Sequence, residues 1–376
     1  VSRTLVVTND FPPRQGGIQT FVAALLQRRP PESLVVLASD SPGSAEHDAA
    51  LPYPVVRRPT GMLLPTRATA RAAAELVERY GCDTAFFGAA APLGLLAPTL
   101  RAAGVRHLVG ATHGHETGWV ALPGSRQVMQ RIASGLDVLT YISEYTRDRL
   151  APALSGRTRL AQLSPGVDVE RFTPGVDGSE VRRRWGLGDA PVVVCVSRLV
   201  ARKGQDVLVA GWPQVLARHP GARLLLVGGG PAEKELRRAV AAHGLRDSVV
   251  LTGAVAHEEL PAHYAAGDVF AMPCRTRRAG LDVEGLGMVF LEAAATGRPV
   301  VAGTSGGAPE AVRDGVTGSV VDPRSPAAVA TALSALLDDP ARARAMGTAG
   351  RAWVEQRWSW TCIAETFAEL LEPGGH

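Results

Sequence analysis

Lysine is nearly missing from this chain: Lys203 and Lys234 are the only two, and arginine supplies the rest of the 40 basic residues. With 36 acidic residues the formal charge is only +4, too small a field to argue for nucleic acid. It still suits phosphate-bearing ligands or an anionic membrane surface. Cysteine is equally sparse. Cys82, Cys195, Cys274 and Cys362 stand singly, which excludes zinc-type spacing and a disulfide framework and reads as buried thiols in a reducing compartment. No apolar run reaches the roughly 18 residues that a spanning helix needs. The opening T-L-V-V-T follows no basic segment and long apolar core of the kind a secretory signal has. A soluble cytoplasmic protein is expected, with peripheral attachment to a membrane left open. A G-x-G-x-x-G fingerprint is also missing after the first strand, which disfavours hydride transfer.

What is present is a β/α alternation. At 376 residues with 46% hydrophobic content, the chain suits two globular domains, each with its own core. Strand-like runs lie near Leu5 to Thr8, Leu34 to Leu37, Thr84 to Phe87, His107 to Ala111 and Val138 to Ile142. The Pro/Gly-rich S-P-G-V-D-V-E-R-F-T-P-G then reads as a linker. The alternation resumes with P-V-V-V-C-V-S, A-R-L-L-L-V, S-V-V-L-T, D-V-F-A-M and R-P-V-V-A. The expected fold class is α/β, with two Rossmann-like, doubly wound parallel-sheet domains that hold ligands at the carboxyl ends of the strands. We place the first domain at 1–165 and the second at 166–356. A C-terminal helix at 357–376, W-S-W-T-C-I-A-E-T-F-A-E-L-L in its centre, either packs back on the first domain or ends the second.

The segment E-G-L-G-M-V-F-L-E, from Glu284 to Glu292, carries the most chemistry. Gly285 and Gly287 allow a backbone turn to approach a ligand, and the helix that starts near Met288 and Val289 offers its N-terminus to an anion. The two carboxylates can accept hydrogen bonds from hydroxyls at either end of a nucleotide diphosphate sugar. A pair of solvated helix charges is the plainer reading of the same spacing. S-R-L-V-A-R-K-G-Q-D places Arg198 and Lys203 at the edge of the second sheet, where fixed cations neutralise a diphosphate leaving group. The turn Gly228 to Gly230 gives a nucleotide room but carries little weight.

In the first half, T-N-D-F-P-P-R-Q-G-G-I-Q-T-F-V feeds a helix through Gly16 and Gly17, bare amides that favour a phosphate. A-T-H-G-H-E follows the strand at His107 and brings His113 and His115 to its exit, with His113 the preferred ligand contact. A metal site of His113, His115 and Glu116 lacks the helical spacing of a zincin and a third ligand. R-R-P-T-G-M-L-L-P-T-R-A-T-A-R joins Arg57, Arg58, Arg67 and Arg71 to the apolar tip Met62, Leu63 and Leu64. That combination attracts an anionic lipid surface, or else the loop packs into its own domain.

Together with F-F-G-A-A-A-P-L and P-C-R-T-R, these motifs resemble, over nearly the whole chain, the retaining glycosyltransferases of family 4 with the GT-B fold. Within that family they are most similar to the actinobacterial phosphatidylinositol monomannoside mannosyltransferases. The resemblance implies a cleft between the two domains, GDP-mannose as donor, a phosphoinositide glycolipid acceptor, and peripheral contact with the inner face of the plasma membrane; no cofactor is expected, and the lack of a D-x-D-type carboxylate cluster favours no metal. It implies that Arg198 and Lys203 bind the donor diphosphate, Glu292 the ribose and Glu284 the mannose. Amides around Gly287 and Met288 add phosphate contacts, beside Val289. Gly16 and Gly17 would meet the diphosphate and His113 the donor sugar, while Asn9, Asp10 and Arg67 line the acceptor side. Loops around Val255 and Arg275 shape the base pocket without dictating guanine. Gln15, Thr20 and the short stretch from Glu46 to Tyr53 depart from the family pattern.

No carboxylate stands out as a nucleophile for double displacement, so same-face attack assisted by the leaving phosphate is expected, with domain closure near Gly166. A family 4 enzyme with another donor and a soluble acceptor, and an idle nucleotide-sugar-binding scaffold, are the competing readings. The intact set of Arg198, Lys203, Glu284 and Glu292 argues against idleness.

Overall fold

Runs such as Leu-Val-Val and Val-Val-Val-Cys-Val are apolar on both faces, which suits strands covered on both sides by helices. The computed structural model describes residues 2–120, 122–154 and 158–374. The chain divides into two units, Val1–Pro165 with Thr361–His376, and Gly166–Trp360.

Among the described residues the first unit holds seven strands, β1 (Thr4–Thr8), β2 (Leu34–Ser39), β3 (Val55–Arg58), β4 (Thr84–Phe87), β5 (His107–Gly110), β6 (Val138–Tyr141) and β7 (Arg159–Gln162). They form one sheet in the order β3-β2-β1-β4-β5-β6-β7, parallel throughout. The second unit holds β8 (Val192–Val196), β9 (Arg223–Val227), β10 (Val249–Gly253), β11 (Val269–Met272), β12 (Val300–Gly303) and β13 (Gly318–Val321). Their order is β10-β9-β8-β11-β12-β13, again parallel. Both sheets are doubly wound: the chain moves outward from β1 or β8 on one side, then returns to its other side at β4 or β11. The loops leaving those paired strands part company and open a crevice at the carboxyl edge.

The sequence reading misses β3, β7 and β13, and all three are edge strands. An edge strand is only half covered, so it needs no continuous apolar run; β3 reads V-V-R-R and β7 reads R-L-A-Q, each partly exposed along its whole length. The second unit runs through Trp360 rather than ending at 356. The reason is a short parallel bridge, in which Val167 N donates to Trp358 O at 2.7 Å and Trp360 N donates to Val167 O at 3.2 Å.

From Thr361 onward the chain belongs to the first unit. The helix Trp360–Leu371 buries Ile363, Phe367, Leu370 and Leu371. Phe367 meets the Phe86 ring of β4 edge to face at 4.9 Å between centroids. His107 of β5 pairs through Nε2 with Leu370 O at 2.8 Å, so the helix end is bonded as well as packed. Phe367→Ala removes a fully buried ring and is expected to destabilise the first unit by about 3–5 kcal/mol. Urea unfolding of the full chain, with a lower midpoint at unchanged slope, measures it.

Candidate active site

The second unit's crevice opens where β8 and β11 end. After β8 the chain passes Arg198, makes a short 3-10 turn at Ala201–Lys203 and enters the helix Gln205–Arg218. The junction residue, Gly204, has φ 80°, and a Cβ there would stand 2.0 Å from Pro273 O just beyond β11. A glycine is needed for the two loops to approach this closely. Lys203 is thereby turned inward, and its Nζ lies 2.6 Å from Oε2 of Glu284. Arg202 reaches the same oxygen through Nη1 at 2.7 Å and Asp282 through Nε at 3.2 Å.

Glu284 is also fixed by its backbone. Its N–H donates to Ser305 Oγ at 3.1 Å, and its carbonyl accepts from Gly307 N at 3.0 Å. Three residues on, Gly287 at φ 87° caps the helix Met288–Ala295. A Cβ at Gly287 would sit 2.5 Å from the Phe290 ring. Met288 and Val289 pack partly against the core, while Phe290 and Leu291 are fully inside. Glu292 follows, half-buried, on this helix, and its Oε2 accepts the Tyr264 hydroxyl at 2.6 Å. Loss of hydration raises the Glu292 pKa, opposed by the Tyr264 bond and by the charges of His257 and Arg171.

Arg198 is exposed and lines a cleft of about 670 Å³ with Arg202, Arg277 and Asp282 among others. The Gly228–Gly230 turn supports this loop, Leu199 N donating to Gly229 O at 2.9 Å. Arg275 is tied to Asp206 at 2.7 Å, and Val255 rests on the core. Arg198, Lys203, Glu284, Gly287, Met288, Val289 and Glu292 thus all occur on the loops and helices that leave the carboxyl edge of one sheet.

The first unit's crevice lies at the ends of β1 and β4. His113, beyond β5, bonds through Nε2 to Gly88 O at 2.6 Å. A carbonyl only accepts, so Nε2 carries the proton and Nδ1 is left as an acceptor. Burial lowers the His113 pKa, with Glu116 the main opposing charge, which keeps the ring neutral around pH 7. Glu116 is fully buried and accepts the His113 backbone N–H at 2.9 Å. Gly16 and Gly17 are exposed at the start of the helix Gly17–Leu26, and no side chain caps it. Asp10 accepts from Gln19 Nε2 at 2.8 Å. Arg67 opens the helix Arg67–Tyr80 and is exposed.

Two expectations change. The Asn9 amide bonds Leu63 on both sides, Nδ2 to Leu63 O at 3.0 Å and Leu63 N to Oδ1 at 2.5 Å. Asn9 therefore holds a loop rather than presenting its amide to a ligand. For the same reason Leu63 is buried, and the apolar tip is Met62 and Leu64 alone, 60% and 50% exposed. Arg57 leaves the basic surface too: it is ion-paired to Asp48 at 2.8 Å and bonds Ser39 O and Pro12 O. Among the described residues no three His, Cys, Asp or Glu side chains converge as a metal site.

The sequence reading passes over Arg202, Tyr264 and Ser305, and names Glu116 only in the disfavoured metal reading. Arg202 was readable as the neighbour of Lys203. Tyr264 and Ser305 come to the glutamates only through the sheet's topology and leave no local pattern.

Comparison with known proteins follows the two units. The profile described as glycosyl transferases group 1 matches residues 190–339, and that of Glycosyltransferase Family 4 matches 15–171. The chain is 50% identical over 372 residues to the GDP-mannose-dependent alpha-(1-6)-phosphatidylinositol monomannoside mannosyltransferase of Mycolicibacterium smegmatis, covering 98% of this chain and 97% of the relative. It is 48% identical over 375 residues to the GDP-mannose-dependent monoacylated alpha-(1-6)-phosphatidylinositol monomannoside mannosyltransferase of Corynebacterium glutamicum, with 98% of each covered. In fold it matches Anabaena Alr3699/HepE, solved with UDP, at TM-score 0.81 and 22% identity over 98% of this chain and 99% of that one. Sucrose-phosphate synthase from Thermosynechococcus elongatus matches at TM-score 0.74 and 24% identity, covering 98% of both chains.

The raised Glu292 pKa sets a sign for stability. The folded state holds this proton to higher pH than the unfolded chain does. The contribution is complete below the ordinary value of 4.5 and is lost as pH rises through the folded value. Glu292→Gln keeps an acceptor for Tyr264 and never ionises. Thermal melts between about pH 5 and about pH 8 should show the variant at least as stable as wild type at the upper end, the gap closing as pH falls.

Proposed function

The chain belongs to glycosyltransferase family 4, and from that membership we propose that it is a retaining α-mannosyltransferase that moves mannose from GDP-mannose to phosphatidylinositol monomannoside, giving the dimannoside. The observation that carries this is the half-identity, over nearly full length, to two relatives named for that reaction. The geometry supports it, because the cations and carboxylates that the reaction needs stand together at the second unit's switch point.

We assign the roles as follows. Arg198 and Lys203 meet the donor diphosphate and stabilise the charge that grows on it as the glycosidic bond breaks. Glu284, already oriented by Ser305 and its two cations, takes hydroxyls of the mannose. Glu292 takes the ribose hydroxyls, with Tyr264 fixing its carboxylate. Amides at Gly287, Met288 and Val289 face the phosphates, and Val255 and Arg275 border the base. On the first unit, Nδ1 of His113 accepts from a sugar hydroxyl, Gly16 and Gly17 offer amides to phosphate, and Asp10 and Arg67 serve the acceptor, with Asn9 shaping the loop beside them. Attack takes place on the face that the diphosphate leaves, and the departing phosphate oxygen receives the acceptor's proton. No metal or other cofactor is assigned a role.

Among the described residues no helix is long and apolar enough to cross a membrane. Met62 and Leu64, with the exposed cations Arg67 and Arg71, suit peripheral contact with an anionic bilayer on the cytoplasmic side.

The test is transfer of label from GDP-mannose to a dimannosylated lipid in membranes containing the monomannoside. Lys203→Ala and Arg198→Ala are each expected to lower kcat by about 100-fold with GDP still bound. Consumption of UDP-glucose with no labelled lipid would replace this reading by a soluble-acceptor transferase.

A further inference from the structure

Beyond β11 the chain makes a small hairpin whose base is fixed and whose tip is bare. Arg277 N donates to Asp282 O at 2.9 Å, Asp282 N returns to Arg277 O at 3.2 Å, and a 3-10 turn at Arg278–Gly280 closes the loop. Below it, Asp282 is held by Arg202, Arg275 by Asp206, and Arg275 N by Arg202 O at 2.8 Å. The hairpin is thereby joined to the same loop that carries Arg198 and Lys203.

At the tip, three features coincide. Arg277 and Arg278 are exposed, and their guanidiniums, like that of Arg198, have no ion-pair partner among the described residues. Arg278 sits at φ 49°, the one described non-glycine residue with positive φ, a conformation that glycine adopts more readily and that in an arginine points to function. Leu281 is 73% exposed, the most exposed of the described large apolar residues. All of these line the 670 Å³ cleft beside Arg198, where Glu235 and Asp282 are the only carboxylates. Asp282 is already neutralised by Arg202.

We propose that this hairpin binds the phosphodiester group of the lipid acceptor, with Arg277 and Arg278 as the paired guanidiniums and Leu281 against the first acyl carbons. The inference rests on the acceptor class argued above. Two adjacent guanidiniums match a phosphodiester through forked hydrogen bonds. The apolar residue distinguishes this ligand from the donor, since a nucleoside diphosphate sugar has no greasy end to place on Leu281. Of the donor cations, Lys203 is turned inward to Glu284 and Arg198 borders this same cleft; Arg277 and Arg278 are cations additional to that pair.

The experiment is calorimetric titration of the full chain, saturated with GDP, with glycerophosphoinositol, the headgroup that is left when the acceptor is stripped of its acyl chains and its mannose. The wild type should bind it. Arg277→Ala/Arg278→Ala should weaken it by about tenfold or more while leaving the Kd for GDP unchanged. Leu281→Ser should leave headgroup affinity alone and raise KM for the acylated acceptor in the transfer assay. The site is overturned if the wild type shows no headgroup binding, if the double variant binds equally, or if GDP affinity falls with it. Inorganic phosphate competing as well as the headgroup would reduce it to a general anion site and also overturn it. Mannose transfer is read separately. Headgroup binding lost in the variant without transfer by wild type removes the proposed reaction and leaves the site; transfer with unaltered headgroup affinity and acceptor KM does the reverse.

Discussion

One carboxylate oxygen, Oε2 of Glu284, accepts both Lys203 and Arg202, and much of the second unit's crevice depends on that point. Lys203 and Arg202 on Glu284, with Asp282 completing the cluster on Arg202, balance in charge and draw the loop after β8 onto the loop after β11. Removing one member of such a cluster leaves a buried charge without compensation, which costs several kcal/mol. The cation without an ion-pair partner among the described residues that an incoming diphosphate would meet is Arg198, exposed on the same loop. The contact that orders the two loops is therefore also what sets Arg198 beside the crevice.

Around that point the two sheets repeat a single solution. Each unit winds out from a central strand and returns to its other side, so each has one place where neighbouring loops diverge. In the second unit the gap is furnished with cations, carboxylates and a helix N-terminus. In the first it is furnished with a neutral histidine anchored on Gly88 and a loop held by Asn9. Glu292 shows the cost of such furnishing, since a partly desolvated carboxylate is an unfavourable choice for stability and a favourable one for gripping hydroxyls.

The interior strands were legible because burial on both faces demands a continuous apolar run, whereas β3, β7 and β13 are edges and tolerate arginine or serine. The motif residues were legible where chemistry sits in one contiguous segment, as in E-G-L-G-M-V-F-L-E. Partnerships across the sheet were not: nothing local to Tyr264 announces Glu292, 28 positions away. Asn9 and Arg57 were misplaced for a related reason. A polar side chain's type states what bonds it can make, and only the fold states that Leu63 and Asp48 make them first.

The helix that covers Phe86 is drawn from the far end of the chain, so the first unit is discontinuous, with the whole second unit inserted before its last piece. During synthesis the ribosome delivers all seven strands of the first sheet well before Phe367 exists. The second unit has its complete complement as soon as Trp360 emerges. The order of completion is thus the reverse of the order of translation: the unit begun first is completed after the second, and its β4 face must wait, uncovered, for residues 361–371 to arrive.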